Sequence, residues 1–185
     1  MKENTLTDQI KARYNRIAPY YDLVEAFSER VFKNWRRKLL LHAKGRILEV
    51  GVGTGKNFAY YPRGINITGI DIADKMIPFA KKRADELGLS IKLMEGDVQN
   101  LSFPNDFFDT AVATFVFCSV PNPILGLKEL RRVVKLGGEV LLLEHVRIDR
   151  PVVGFLMDAL NPLFVRLLGP NINRRTVKTL KKQVC

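Results

Sequence analysis

Between residues 46 and 145 short apolar runs alternate with amphipathic stretches. Arg46–Val50, Asn66–Asp71, Ser90–Glu95, Phe107–Phe117 and Glu139–Glu144 are short, apolar and bounded by turn residues, which predicts five strands. Between them, Lys56–Tyr61 begins a helix. Asp74–Leu87 forms another, with Met76, Ala80, Arg83 and Leu87 in register and Pro78 in its first turn. A third starts at Asn122-Pro123, an N-cap followed by a first-turn proline, and points Leu127, Leu130 and Val134 inward. Gly137-Gly138 reads as the turn into the fifth strand. Alternating strand and helix predicts an α/β domain with a doubly wound, mostly parallel sheet. Two helices precede it. Leu6, Ile10, Tyr14 and Ile17 predict one over residues 5–17, with Thr5 or Thr7 as N-cap. After Pro19 a second runs over residues 22–43, with Phe27, Val31, Trp35 and Leu39 four apart.

The first strand runs into Glu49-Val-Gly-Val-Gly-Thr-Gly55, three glycines spaced by one residue. Glycine tolerates positive φ and lets a ligand approach the backbone. The following N–H groups point at whatever fills the turn. Two familiar nucleotide loops are excluded: G-x-G-x-x-G needs glycine where Lys56 stands, and no G-x-x-x-x-G-K-[ST] occurs. Asp71 closes the second strand, 20 residues beyond Gly51, where an acid can accept two ribose hydroxyls. Gly96-Asp97-Val98 follows the third strand.

In this order the motifs resemble the class I S-adenosylmethionine-dependent methyltransferases. The resemblance covers about residues 10 to 148 and implies a Rossmann-like sheet. It implies that the loop of Glu49, Gly51, Gly53, Thr54 and Gly55 holds the methionine end of the cofactor, that Asp71 holds the ribose, and that Ile72 and Met76 are further cofactor-binding residues. Asp97 then meets the adenine amino group, and the Val98 N–H a ring nitrogen. Thr114 and Phe115, ending the fourth strand, face the cofactor. Asp109 resembles the family's Phe-Asp signature and steadies the preceding loop. Leu136-Gly-Gly138 is a further marker, without the proline usual before the glycines. S-Adenosyl-L-methionine is the implied cofactor, with S-adenosyl-L-homocysteine as product.

Three groups within that family share pieces of the chain. Tyr14–Asp22 and the glycine loop look like bacterial phospholipid N-methyltransferases, and the motif order like quinone C-methyltransferases. Phe117–Val120 and Glu144–Val146 look like membrane-associated thiol methyltransferases. All three handle apolar or membrane-borne acceptors, which implies a small apolar or lipid-like acceptor: a phospholipid amine or a quinone first, a thiol as alternative. Tyr21 and His145 are the candidate catalytic residues. Histidine can orient or deprotonate an acceptor. His42 reads as structural.

Residues 1–44 are expected to cap the site, 45–148 to bind cofactor, and 149–185 to supply an apolar helical segment (151–169) and a basic tail. The sixth and seventh strands of a complete family fold are not found. The fifth strand is then a sheet edge that needs cover, from residues 151–169 or from a second copy in a homodimer. The apolar segment beside the basic tail suits a membrane interface, an apolar substrate, or ordinary core.

Composition narrows this. At 185 residues the chain makes one domain. Its two cysteines, Cys118 and Cys185, build neither a disulfide framework nor a metal site, so no metal is expected and residence is cytoplasmic, at the membrane periphery if anywhere. A net charge of +11 attracts something anionic, nucleic acid or an acidic lipid surface. The Asn/Asp-Pro-Pro-Tyr signature of amino-methylating nucleic-acid enzymes is missing; Cys118-Ser-Val-Pro-Asn122 stands there instead. An RNA methyltransferase and a non-catalytic cofactor-binding module remain as alternatives.

Overall fold

The computed structural model describes residues 2–144 together with 158, 159 and 161. Five strands form one parallel sheet in the order β3-β2-β1-β4-β5. They are β1 (Arg46–Val50), β2 (Asn66–Asp71), β3 (Ile91–Glu95), β4 (Phe108–Thr114) and β5 (Val134–Leu143). The order reverses between β1 and β4, so the crevice opens at the carboxyl ends of these two strands. β1 and β4 are buried along nearly their whole length, as a two-sided sheet demands.

The helices are α1 (Lys2–Ile17), α2 (Tyr21–Val24), α3 (Ala26–Leu40), α4 (Ile77–Glu86) and α5 (Pro123–Val133). Asn122 caps α5, its side chain accepting from Leu125 N at 3.1 Å. The main core joins Leu48, Val50, Ile70, Phe108, Phe117 and Leu130 beneath α5. Asp109 ties the sheet's lower edge, accepting from Arg46 N at 2.7 Å and pairing with Lys135.

Several boundaries depart from the pattern-based expectation. α1 begins at Lys2, so neither Thr5 nor Thr7 stands at a cap position. A 3-10 turn at Ala18–Tyr20 precedes the second N-terminal helix, and the break at Glu25 divides it. The glycine loop leads only into a 3-10 turn, Phe58–Tyr60, because Pro62 and Gly64 stop a helix there. β5 starts at Val134, straight out of α5, and takes in Gly137-Gly138. Gly137 has φ 79° and the β4–β5 register shifts between Phe108 and Thr110, so the glycines form an irregularity inside the strand instead of a turn before it. In α3 the buried face holds Arg36 and Leu40, while Val31 and Trp35 point outward. The expected apolar stripe thus presents Val31 and Trp35 to solvent. His145, the segment 151–169 and the tail 170–185 lie outside the described residues, apart from 158, 159 and 161.

Candidate active site

Four strand ends supply the site. β1 delivers the glycine loop, with Gly51, Gly53 and Gly55 at φ 64°, 54° and 79°. A Cβ on Gly51 would strike Val116 at 2.5 Å, and one on Gly55 would strike Phe58 at 2.5 Å. Those two are fixed by packing as well as by backbone. A Cβ on Gly53 would meet only Tyr21, at 3.8 Å. It would project into the cleft, so Gly53 is where the backbone is left bare for a ligand.

β2 delivers Asp71. Its Oδ2 accepts from Gly53 N at 2.7 Å and its Oδ1 from Ala73 N at 2.8 Å. Burial lifts its pKa to about 6, against those two hydrogen bonds, which pull it down. Asp97, after β3, is held by Gln99, whose backbone N–H reaches Oδ1 at 2.9 Å. β4 ends in Thr114 and then Phe115, a non-glycine residue at φ 60°. That strain sits at the site and is held in place. Glu144 receives the backbone N–H groups of Val116, Phe117 and Cys118 at 2.9, 2.8 and 3.3 Å, and the Phe115 ring meets Phe32 in a tilted contact at 4.8 Å.

Between these ends lies a cleft open to solvent. Tyr21, Gly51, Gly53, Asp71, Ile72, Met76, Asp97, Val98, Thr114 and Phe115, all expected from sequence, line it. α1 adds Ile10 and Tyr14 on the opposite wall, where the Tyr14 hydroxyl and Ser119 Oγ lie 2.8 Å apart. Thr54 lines a smaller adjoining pocket together with Arg36 and Lys56. Glu49 and Gly55 line neither. The Glu49 side chain is buried beneath the loop, accepting from Asn57 Nδ2 at 2.9 Å and from the Tyr61 hydroxyl at 2.7 Å. Burial raises its pKa to about 7.

Tyr21 donates its hydroxyl to Glu25 Oε1 at 3.0 Å. Burial, and then the Glu25 charge, push its phenol well above the ordinary value. It is a protonated donor near neutral pH and cannot serve as a base.

Arg36 escaped the sequence reading. It is 5% exposed, donates to Thr114 Oγ1 at 2.7 Å and Asn57 Oδ1 at 2.9 Å, and sits 5.0 Å over the Phe115 ring. Glu29 balances it at 3.2 Å. Only its position on the inward side of α3 distinguishes it from the neighbouring basic residues, and sequence periodicity had assigned that side otherwise. A second feature unread in sequence is a polar clasp. Asp22 accepts from Thr54 Oγ1 at 2.6 Å and pairs with Arg83, while Glu25 pairs with Lys56 at 3.1 Å. The clasp ties α2 to the glycine loop and α4.

The residues fit an adenosyl sulfonium amino acid. A bare backbone at Gly53, a carboxylate at Asp71, a polar end at Asp97 and cations at Arg36 and Lys56 match in turn its chain, sugar, base and carboxylate. Comparison with known proteins decides between this and other nucleotide-like ligands. Residues 48–142 match the methyltransferase domain family. The chain belongs to the S-adenosylmethionine-dependent methyltransferases. A phosphatidylethanolamine N-methyltransferase of Cereibacter sphaeroides is 34% identical over 158 residues, covering 83% of this chain and 76% of that protein. A ubiquinone/menaquinone biosynthesis C-methyltransferase of Geotalea daltonii is 32% identical, over 74% of this chain and 63% of its own length. The solved structure of a methyltransferase from Thermotoga maritima shares the fold at TM-score 0.71 and 24% identity, covering 92% of this chain and 77% of that one. The methyltransferase cofactor, S-adenosyl-L-methionine, follows from the family.

Proposed function

We propose that this methyltransferase acts on a small apolar or lipid-like acceptor, a phospholipid amine or a quinone. The observation that carries the reading is the wall opposite the cofactor residues. It is built from Ile10, Tyr14, Tyr21, Val120 and Pro121, apolar bodies with few polar tips. Such a surface suits an acceptor that is itself apolar beyond its reacting atom. The relatives named for phosphatidylethanolamine and for quinones point the same way.

In this reading Asp71 holds the ribose, Asp97 and the Val98 N–H take the adenine, and Gly53, Thr54, Arg36 and Lys56 receive the methionine end. When bound, S-adenosylmethionine supplies an activated methyl group on a sulfonium. The protein's task is alignment, which is worth about 7–11 kcal/mol in well-oriented reactions. Tyr21, at the boundary between the two pockets, positions the acceptor with its ring while its proton stays on the phenol, donated to Glu25. Residues 1–44 act as the cap, and 149–185 carry an apolar segment for the acceptor or membrane side. Cytoplasmic residence with peripheral contact to anionic lipid, and a second copy along the β5 edge, belong to the same reading. No described helix is long and apolar enough to cross a membrane.

Incubation with labelled cofactor and separate panels of phosphatidylethanolamine, demethylated quinone and alkyl thiol, read by mass spectrometry, tests it. Methylated lipid or quinone is expected. Turnover of thiol alone, or of RNA alone, would overturn the reading.

A further inference from the structure

α3 presents two faces of different chemistry. Its inward face holds Arg36 and Leu40. Its outward arc carries Arg30, Val31, Lys33, Trp35, Arg37 and Lys38, all exposed. The helix's one acid, Glu29, is turned inward to Arg36. The outward arc is therefore cationic without relief, and among the described residues none of its four basic side chains has an ion-pair partner. Trp35 is 64% exposed and Val31 55%; Leu41 follows at the helix end. The short α2 adds Leu23, the most exposed apolar side chain of this limb at 78%. Scattered exposed apolar residues are ordinary. Here they cluster between residues 20 and 41, interleaved with positive charge.

We propose that the outward face of α3, with Leu23 of α2, docks on an anionic phospholipid bilayer. Helices that lie in a bilayer interface combine basic residues on the polar side with tryptophan and aliphatic anchors. Lys33 and Arg37, one turn apart, meet the lipid phosphates, and Trp35 and Val31 enter the headgroup boundary. At 15 residues α3 lies along the surface and does not cross it. Nucleic acid fits less well, since a phosphate backbone offers nothing to Val31, Leu23 and Leu41. Consecutive residues face bilayer and site: Trp35 points out, and Arg36 reaches Thr114 inside. Docking thus sets the cap of the cleft against the membrane. This surface rests on the reading of a membrane-borne acceptor.

Trp35 is the chain's only tryptophan, so its emission reports this face without ambiguity. The full chain is titrated with vesicles of phosphatidylglycerol and phosphatidylcholine, and with phosphatidylcholine alone. The proposal expects co-sedimentation with the anionic vesicles, a blue shift of Trp35 and quenching by brominated lipid. It also expects K33E/R37E to weaken vesicle binding by about tenfold or more. Any of four results overturns it: absence of vesicle binding, binding with unmoved Trp35 emission, emission already blue-shifted and shielded from acrylamide without lipid, or an equal shift with single-stranded RNA. Methylation of phosphatidylethanolamine in detergent micelles separates the two claims. Micellar lipid methylated without vesicle docking removes this surface alone, whereas docking without any methylated lipid or quinone removes the acceptor reading alone.

Discussion

The backbone N–H of Gly53 donates to Asp71 Oδ2 at 2.7 Å. One bond thus joins the loop after β1 to the acid that ends β2, and so links the two halves of the cofactor seat. Gly53 cannot accept a side chain without occupying the cleft. Gly53→Val is expected to abolish detectable cofactor binding, because a branched residue at φ 54° is strained and its methyls fill the seat. Equilibrium dialysis with labelled cofactor on a variant shown folded by circular dichroism checks this.

Arg36 is a buried cation that ties α3 to Asn57 and Thr114. Arg36→Met leaves Glu29 without its counter-charge and Asn57 Oδ1 without its donor, while Thr114 Oγ1 keeps only Asn57 Nδ2. A loss of about 3–5 kcal/mol in stability is expected. Urea unfolding measures it, and cofactor should restore less stability to the variant than to the parent.

Asp22 links α2 to Thr54 and Arg83 across a half-exposed surface. Exposed pairs contribute at most about 1 kcal/mol, so Asp22→Ala should hardly move Tm. It should instead speed cofactor dissociation, because the clasp holds the cap over the glycine loop. Stopped-flow displacement at low and high salt reads this: the parent should release faster in high salt, and the variant should show little salt dependence.

Glu49 titrates near 7 in the fold against 4.5 ordinarily, because burial penalises its charge. The folded state then holds a proton that the unfolded chain releases across that window. Stability from this group is lost as pH rises from about 4.5 to about 7. Asp71, raised from 3.8 to about 6, acts in the same direction. Melting of the ligand-free protein should show a fall in Tm between about pH 4 and about pH 7, and Glu49→Gln should make that fall shallower.

Much of the architecture could be read in the chain because β1, β2 and β4 are buried on both sides and so appear as largely apolar runs. Asp71 and Asp97 were legible because an acid at the end of such a run has one place to go. The N-terminal limb was not legible in the same way. The Val31–Trp35 stripe has helical spacing whether it faces core or solvent, and periodicity carries no sign. Arg36 and Asp22 act through partners 21 to 78 residues away, such as Asn57, Thr114, Thr54 and Arg83, and local pattern contains no such information. The early start of β5 depends on a register shift opposite Phe108, a property of the neighbouring strand.

Titration calorimetry of S-adenosylmethionine into the parent and Asp71→Ala tests the central claim most directly. The parent should bind at one site. The variant should bind more weakly by about 1.5–3 kcal/mol, the loss of a charged hydrogen-bonding partner. Equal affinity in both proteins, or no binding by a folded parent, would contradict the assignment of this cleft as the cofactor seat.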